Sequence, residues 1–245
     1  MKSRIAFIGL VALVPGCCGM CGMCSDSTRS SNVRTSGVNA EMIVRSGEAG
    51  PTEVSVRVKV GGTFSNTFLT LADGDEIVAD NGSDHVALVG TTGLIAVPSN
   101  DGTLPTDSSG RTITVKFTRP HDVSAPGSSV VMPHGLAFGS PRVGEAFDSA
   151  HPHVVITWSP TSSEAVSWSL HGGCIDDKSG VDGADTGRVE AILVAARDAD
   201  GGISGPCDVV VHLTRSRTGK LDPAFGEGGS IMATQDRERT IRFTP

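Results

Sequence analysis

Alternation of apolar and polar residues with a period of two marks most of the chain after residue 50. In EVSVRVKV the apolar positions are Val54, Val56, Val58 and Val60, and Ser, Arg and Lys lie between them. This pattern predicts a half-buried strand, because successive side chains of a strand point to opposite faces. Shorter segments of the same kind follow, separated by Gly, Asn and Asp turns. They are TFLTLA, EIVA, HVALV, LIAV and TITVKF.

A second set of strand-like segments begins after TRPHDVSAPGSS, residues 118–129, whose prolines and small polar residues predict an interdomain connection. The segments are HVVITWS, AVSWSL, CDVVVHLTR and RTIRF. RVEAILVAA fits a helical period as well, but its surroundings favour a strand. The sequence therefore predicts an all-β protein with two β-sandwich domains, residues 40–118 and 125–245.

This architecture resembles the immunoglobulin-like and fibronectin-type sandwiches of secreted bacterial proteins. Three segments of the second half, SWSLHGGC, PCDVVVHL and DPAFGEGGSIMATQ, resemble envelope lipoproteins of myxobacterial type. Those proteins have no assigned activity. The resemblance therefore implies a location in the cell envelope and leaves the mechanism open.

The N-terminus has the layout of a secretory signal peptide. Lys2 and Arg4 supply positive charge, and the ten residues 5–14, IAFIGLVALV, are apolar. At about 1.5 Å per residue, this stretch is too short to cross a hydrocarbon core of about 30 Å as a permanent anchor. We predict a signal peptide over residues 1–16.

Val14-Pro15-Gly16-Cys17 resembles a bacterial lipobox, which has an aliphatic residue, two small residues and a cysteine. Pro15 departs from that pattern, in which alanine or serine is usual. The resemblance implies that Cys17 becomes the acylated N-terminus and anchors the protein to the membrane. Cys18 stands at the second position, where lipoproteins without Asp are usually sent to the outer membrane. We therefore expect a lipid-anchored envelope protein, in the outer membrane.

Residues 17–39 are rich in Cys and Gly and then in Ser and Thr, and they predict an extended, disordered tether. Cys18, Cys21 and Cys24 lie in it, with Met20 and Met23 between them. Thiolates and thioethers could hold Cu(I), so metal handling is an alternative function. A glycine at every third position argues against a preorganised site, and the cysteines could instead pair, be acylated or stay free.

Cys174 and Cys207 are the only cysteines outside the tether. Two thiols within one domain of an exported protein usually pair, so we predict a structural disulfide between them. The immunoglobulin pattern places a tryptophan between its two cysteines. Here Trp158 and Trp168 both precede Cys174, so the predicted bond differs from the immunoglobulin disulfide.

Motifs typical of hydrolases are weak. Asp185-Thr186-Gly187 matches the tripeptide of aspartic proteases, but Arg188 follows it and no apolar strand precedes it directly. Ser204 in GISGP lacks the final glycine of a nucleophile elbow. We therefore assign no catalytic residue and predict no enzyme; a hydrolase with an interdomain site is the third hypothesis.

His151 and His153, with Asp148 nearby, offer ligands for a divalent ion if His171 or His212 completes the set. The alternative is an exposed strand start, which we favour. Carboxylates also recur in loops, where turn formation explains them better than calcium binding does. They are Asp73, Asp75, Glu76, Asp176, Asp177, Asp182, Asp185, Asp198 and Asp200. We therefore predict neither a metal site nor a cofactor.

The formal net charge of −7 and an aromatic content of 4% argue against nucleic-acid binding. Six basic residues near the C-terminus predict a solvated face, and one shared patch if their strands are neighbours. They are Arg215, Arg217, Lys220, Arg237, Arg239 and Arg242. Such a patch suits an acidic protein or a polysaccharide carboxylate. The first hypothesis is thus a non-enzymatic envelope lipoprotein with a surface-interaction or structural role.

Overall fold

The computed structural model describes residues 26–47, 50–91, 98–197, 202 and 205–245. Strands dominate this part of the chain, which confirms the predicted all-β class. They are β1 (Asp26–Arg29), β2 (Val38–Ser46), β3 (Thr52–Val60), β4 (Thr67–Thr70), β5 (Glu76–Asp80), β6 (His85–Ala87), β7 (Val89–Thr91), β8 (Ser99–Leu104), β9 (Thr112–Thr118), β10 (Ala125–Val131), β11 (Ala137–Ser140), β12 (Ala146–Asp148), β13 (His153–Ser159), β14 (Val166–Gly172), β15 (Lys178–Asp182), β16 (Arg188–Ile192), β17 (Cys207–Thr218) and β18 (Gly229–Thr244). Two short 3₁₀ turns, Ser30–Asn32 and Thr35–Gly37, follow β1.

One large sheet extends through both halves of the molecule. Its strand order is β1-β4-β3-β2-β18-β17-β14-β15, with β12 on β18, β8 on β3 and β7 on β8. Two smaller sheets, β10-β9-β5-β6 and β11-β13-β16, complete the described part of the fold. Residues of each smaller sheet share a buried core with one half of the large sheet. The result is two sandwiches side by side with one sheet in common.

The first core forms where the predicted alternation is strongest. Val54, Val56 and Val58 of β3 are buried, and Ile113 and Val115 of β9 face them from the four-stranded sheet. Burial of a valine or isoleucine side chain stabilises a fold by about 1.5–3 kcal/mol. Regular alternation over β3 and β9 therefore accounts for much of this core.

The second core has the strand arrangement of an immunoglobulin-like or fibronectin-like sandwich. The three-stranded sheet β11-β13-β16 corresponds to strands A, B and E, and β18-β17-β14 corresponds to G, F and C. The first five residues of the RVEAILVAA segment, Arg188–Ile192, form strand β16 and pair antiparallel with β13. The preference for a strand in that segment is therefore confirmed.

Strand β18 contributes to both cores. Its start pairs in parallel with β2, and residues 232–243 pair antiparallel with β17. Ile231 and Ala233 lie in the first core, and Ile241 and Phe243 lie in the second. At about 3.3 Å per residue, its 16 residues extend about 50 Å. Gly229 opens β18 at φ 131°, where a Cβ atom would collide with the Ala40 carbonyl.

Two segment assignments from the sequence need correction. Residues 26–39 do not belong to an extended tether: β1 pairs with β4, and Ser30, Thr35 and Asn39 are buried. Burial of these small polar residues follows from hydrogen bonds that an apolar pattern does not reveal. Residues 118–129 do not connect two domains either. They turn from β9 into β10, which pairs back onto β9 and gives Ala125 and Val130 to the first core.

Candidate functional site

The most extensively hydrogen-bonded polar group of the second sandwich is a buried ion pair between Arg215 and Asp185. Arg215 lies on the inner face of β17, and Asp185 lies in the turn from β15 to β16, with both side chains fully buried. The guanidinium donates to Asp185 Oδ2 over 2.8 Å. Trp158 Nε1 donates to Oδ1 over 2.6 Å, and the Ser162 backbone amide donates to Oδ2. The Asp-Thr-Gly motif thus contributes a structural carboxylate.

The environment of Asp185 keeps it ionised. Burial by itself raises the pKa of this carboxyl, because it disfavours the charged form. Hydrogen bonds from Trp158 and Ser162 and the positive charge of Arg215 act in the opposite direction and prevail. The pKa of Asp185 therefore lies below its ordinary value.

Arg215 and Arg237 also bind the connector between the two sandwiches, residues 133–136. Arg215 Nη1 donates to the carbonyls of His134 and Gly135 over 3.2 and 3.1 Å. Arg237 Nε donates to the Leu136 carbonyl, and its Nη1 donates to the Ser46 carbonyl at the end of β2 over 3.0 Å. One connector is thus bound by side chains from two neighbouring strands.

Gln235 completes this group. Its Nε2 donates to Ser109 Oγ over 2.7 Å, and its Oε1 accepts a hydrogen bond from Arg237 Nη2 over 2.7 Å. Gln235 and Arg237 point inward from β18 between the residues of the first core and those of the second. We call Arg215, Asp185, Gln235 and Arg237 the arginine junction. It links elements of both sandwiches through buried, hydrogen-bonded polar groups.

A second buried arginine, Arg119, holds the start of the described chain. Its Nε donates to Asp75 over 2.9 Å, and Nη1 donates to Asp122 over 2.8 Å. Nη2 donates to the Ser30 carbonyl over 2.6 Å, and Nη1 also donates to the Val33 carbonyl over 2.9 Å. We call these five residues the N-terminal lock. It attaches the segment after β1 to the first sandwich.

Asp122 of the N-terminal lock is also held in its charged form. The backbone amides of Val123 and Thr35 donate to its carboxylate and lower its pKa, and the charge of Arg119 acts in the same direction. Thr35 N lies 2.7 Å from Asp122 Oδ2. The lock therefore places two carboxylates, Asp75 and Asp122, around one guanidinium.

The predicted solvated basic face is wrong for two of its six members. Arg215 and Arg237 are buried, with relative exposures of 0% and 5%. Their strands are neighbours, but both side chains point to the inner face, where backbone carbonyls of the connector accept hydrogen bonds from them. Arg217 pairs with Glu164, and Arg239 lies over the Phe138 ring at 4.6 Å. Arg242 pairs with Asp208 at the surface over 3.4 Å, and the Lys220 backbone bridges to Ser129.

The histidines of the proposed metal site are held apart by separate carboxylates. His151 Nδ1 lies 3.1 Å from Asp148, and His153 Nδ1 lies 2.8 Å from Glu190. His171 pairs with Asp177, and His212 lies 3.8 Å from Asp236. Across the described residues, no three His, Cys, Asp or Glu side chains come together in a group that could hold a metal ion.

The loop carboxylates act mainly in turns and ion pairs. Asp73 adopts a positive φ of 57°, and Asp182 accepts hydrogen bonds from the Thr186 amide and hydroxyl. Asp75 and Asp185 are bound by buried arginines, as described above. Asp198, Asp200 and Ser204 lie outside the described residues.

The predicted disulfide between Cys174 and Cys207 is confirmed, with Cα atoms 5.7 Å apart. Cys174 follows β14 and Cys207 opens β17, and these strands are neighbours in one sheet. The bond therefore stays within a sheet and does not cross between the two layers. Cys17, the predicted lipidation site, and the tether cysteines Cys18, Cys21 and Cys24 lie outside the described residues.

The outer face of β17, β14 and β15 forms an open groove of about 320 Å³. Ser167, Ser169, Ser179 and Thr214 contribute hydroxyls to its lining, and His212 contributes an imidazole. Trp168 forms one wall and packs against Gly180, where a Cβ atom would lie 2.7 Å from the indole. Trp158 is buried in the core, whereas Trp168 is only partly buried.

Fold and site together define a class of protein: two β-sandwiches, the second with an immunoglobulin- or fibronectin-like strand order, that share one sheet and a buried polar junction. No protein-family model matches the chain, and no curated protein matches it. Among solved structures it is similar to the FN1–FN3 domains of chicken CNTN1, at 12% sequence identity and a TM-score of 0.21. The match covers 83% of this chain and 65%, less than two thirds, of that one. The assignment of the fold therefore rests on the strand order of the chain itself.

Arg119, Gln235 and the inward direction of Arg215 and Arg237 were not anticipated from the sequence. One signal was available: in SIMATQDRERTIRF the apolar Ile231 and Ala233 precede the polar run 234–240, and Ile241 and Phe243 follow it at positions of the same parity. A continuous strand keeps its inner face in register. Gln235 and Arg237 must therefore lie on the same face as the apolar residues on either side.

None of the helices in the described part of the chain has the length and hydropathy needed to span a bilayer.

Proposed function

We propose that this protein is an exported, lipid-anchored component of the cell envelope, in the outer membrane, and that it acts as a rigid, non-enzymatic interaction or structural module. The apolar segment and Val14-Pro15-Gly16-Cys17 support export and anchoring. The Cys174–Cys207 disulfide supports an oxidising compartment, because such bonds persist outside the reducing cytosol.

The observation that carries the proposal is the continuous strand β18 with its arginine junction. A flexible pair of domains would have an exposed linker with few contacts across it. Here the connector residues are bound by Arg215, Gln235 and Arg237, and one sheet crosses the boundary. The two sandwiches joined along β18 form one unit, which we call the rod. A unit of fixed geometry suits a module that holds the end opposite its anchor at a set distance from a membrane.

Polar side chains that could act in catalysis or in metal binding are engaged in ion pairs and hydrogen bonds within the described structure. Asp185 is ion-paired with Arg215, and each candidate metal-binding histidine in the described chain lies near its own carboxylate. This arrangement favours an interaction or structural role over a hydrolase or a metal carrier. A protein or a polysaccharide carboxylate is the partner class that fits an envelope module with exposed Arg242 and partly exposed Arg217.

The anchoring part of the proposal is tested by Cys17→Ser in a bacterial host that processes lipoproteins. We expect the wild type to fractionate with membranes and to carry an acylated Cys17 in its mass spectrum. Cys17→Ser should appear as a soluble or unprocessed chain. The matched control replaces Cys18, Cys21 and Cys24 by Ser and should leave attachment intact. Identical fractionation of Cys17→Ser and wild type would overturn the lipid anchor.

The rigid-module part is tested by hydrogen exchange across the whole chain. Amides of β3 in the first sandwich and of β17 in the second should show the same opening free energy, because β18 couples both cores. Elemental analysis of the same sample provides a second test. Stoichiometric copper, zinc or calcium would contradict the proposal and favour metal handling.

A further inference from the structure

The loop between β3 and β4 has an unusual composition for this acidic chain. Residues 60–72, VGGTFSNTFLTLA, contain no charged side chain, although the formal net charge of the protein is −7. Phe64 stands at the tip of this loop with a relative exposure of 98%. Scattered exposed apolar residues are ordinary, but a fully exposed phenylalanine in a long uncharged stretch has nothing to pack against in its own fold.

The Phe64 loop, residues 61–66, lies beside the point where the described chain begins. The Asp26 amide donates to the Asn66 carbonyl over 3.2 Å, and β1 then runs parallel to β4. Asn66 is two residues from Phe64, which corresponds to at most about 7 Å between their Cα atoms. The chain thus enters the fold next to the exposed ring.

The predicted acylation site is close to that point in the sequence. The nine residues 17–25 separate the sulfur of Cys17 from Asp26. Fully extended, nine residues span about 30 Å at most. When Cys17 is acylated, the Phe64 loop is therefore held within a short distance of the bilayer, at the same end of the molecule as the anchor.

The charges near the loop do not favour binding to anionic headgroups. Lys59 pairs with Glu41 over 2.7 Å. Glu227 lies close to Gly62, and Asp26 begins β1 beside Asn66. Attraction to a membrane at this end must therefore come from the apolar ring and from the uncharged loop. Rings of this kind partition into the boundary between headgroups and acyl chains.

We propose that Phe64 inserts into the interfacial region of the membrane beside the acylated Cys17, as a second contact that orients the rod. This inference rests on the proposed lipid anchor. Stable attachment commonly combines an acyl chain with a second signal, and a protein surface of low charge next to the anchor supplies one. The described structure favours a bilayer as the occupant, because the chain leads from this loop towards its own anchor.

The test uses Phe64→Trp in the full-length acylated protein, reconstituted into phosphatidylcholine vesicles in which some lipid carries bromine on its acyl chains. Bromine quenches only an indole that enters the bilayer. After subtraction of the wild-type emission from Trp158 and Trp168, we expect a blue shift and a loss of the added emission. Raising the salt concentration should leave the quenching unchanged, since insertion is apolar.

The matched control is Val143→Trp. Val143 has a relative exposure of 76% and lies at the opposite end of β18, where the Gly144 amide donates to the Thr240 carbonyl. Its added emission should show no quenching. Quenching at both positions would overturn the proposal, because the rod would then lie flat on the membrane.

The remaining outcomes separate the two proposals. Vesicle-bound, acylated protein without quenching at Phe64 overturns the inference and leaves the anchor standing. An unacylated Cys17 and protein that does not float with vesicles overturns both. Protection of Phe64 by a second copy, detected as a concentration-dependent blue shift without vesicles, also overturns membrane insertion.

Discussion

The N-terminal lock and the arginine junction use the same chemistry for different purposes. In each, an arginine with almost no exposed side chain binds a carboxylate and backbone carbonyls. Arg119 donates only to acceptors of the first sandwich and its N-terminal segment. Arg215 and Arg237 collect acceptors from the connector, from β2 and from the second sandwich. In both groups a buried arginine supplies the donors. Whether the group fixes a local segment or joins the two sandwiches depends on where the acceptors lie.

The largest effect is expected at the junction. Asp185→Ala removes the hydrogen-bonded partner of the buried Arg215 and leaves Glu164 Oε2, 3.9 Å from Arg215 Nε, as its nearby carboxylate; loss of one partner of a buried pair costs about 3–5 kcal/mol. Urea unfolding would measure the free energy of unfolding. Asp208→Ala removes the partner of the exposed Arg242 and serves as the matched control, with an expected loss of about 0–1 kcal/mol.

A double variant sharpens this prediction. Adding Arg215→Met to Asp185→Ala should restore part of the lost stability, because no charge is then left unpaired. If Asp185→Ala behaves like Asp208→Ala, the pair does not stabilise the junction.

Removal of the disulfide comes next in size. Cys174 and Cys207 lie 33 residues apart, and a loop of that length corresponds to about 3–4 kcal/mol in the loop-entropy model. The double variant to Ser should destabilise the second sandwich directly and the first through β18. Hydrogen exchange of β3 and β17 would then increase together. Faster exchange in β17 alone would contradict coupling through the shared strand.

A smaller and more local effect is expected at the N-terminal lock. Arg119→Met removes charge-assisted hydrogen bonds to Ser30, Val33 and two carboxylates, with an expected loss of about 2–3 kcal/mol. The segment after β1 should open, and trypsin should then cleave after Arg34 much faster than in the wild type. Lys116→Met, which removes a partly exposed pair with Asp80, is the control. Cleavage after Arg34 at the wild-type rate would show that the lock does not hold the segment.

Acid should weaken both sites, with the smallest expected effect. The folded-state pKa values of Asp122 and Asp185 are lowered relative to the unfolded value of about 3.9. Their stabilisation is therefore complete above that unfolded pKa and is lost as pH falls through the lower folded values. Urea unfolding of the wild type should show this loss in acid. Asp185→Asn should show a shallower decline; an equally steep decline would assign the pH dependence to other groups.

Much of the fold follows from alternation alone. Val54, Val56 and Val58 in β3 and Val209, Val211 and Leu213 in β17 are buried as their period of two predicts. The predicted strand segments did not include β1, β2, β8, β10, β11, β12 and β15. Among these, β8 (SNDGTL) and β15 (KSGVD) have no apolar period. Backbone pairing with neighbouring strands holds these strands in their sheets, and β8 and β10 also add Leu104, Ala125 and Val130 to the first core.

The candidate site was harder to predict for a different reason. A charged residue on a strand is exposed unless a partner and acceptors accompany it, and the sequence does not show which carbonyls lie near it. Arg119 needs acceptors 44 and 89 residues away. A local sequence pattern cannot indicate contacts over such separations. The disulfide could be predicted, because only two cysteines lie outside the tether.

The shared strand has a consequence for how the protein is made. Phe225, Ile231 and Ala233 reach the first core, and Ile241 and Phe243 reach the second, only when the final residues have been synthesised. A chain that crosses a membrane from its N-terminus therefore cannot complete either sandwich until β18 has also crossed. In the exported protein that we propose, completion of both cores only after β18 keeps the polypeptide threadable during translocation, and a truncation that removes β18 takes residues from both cores at once.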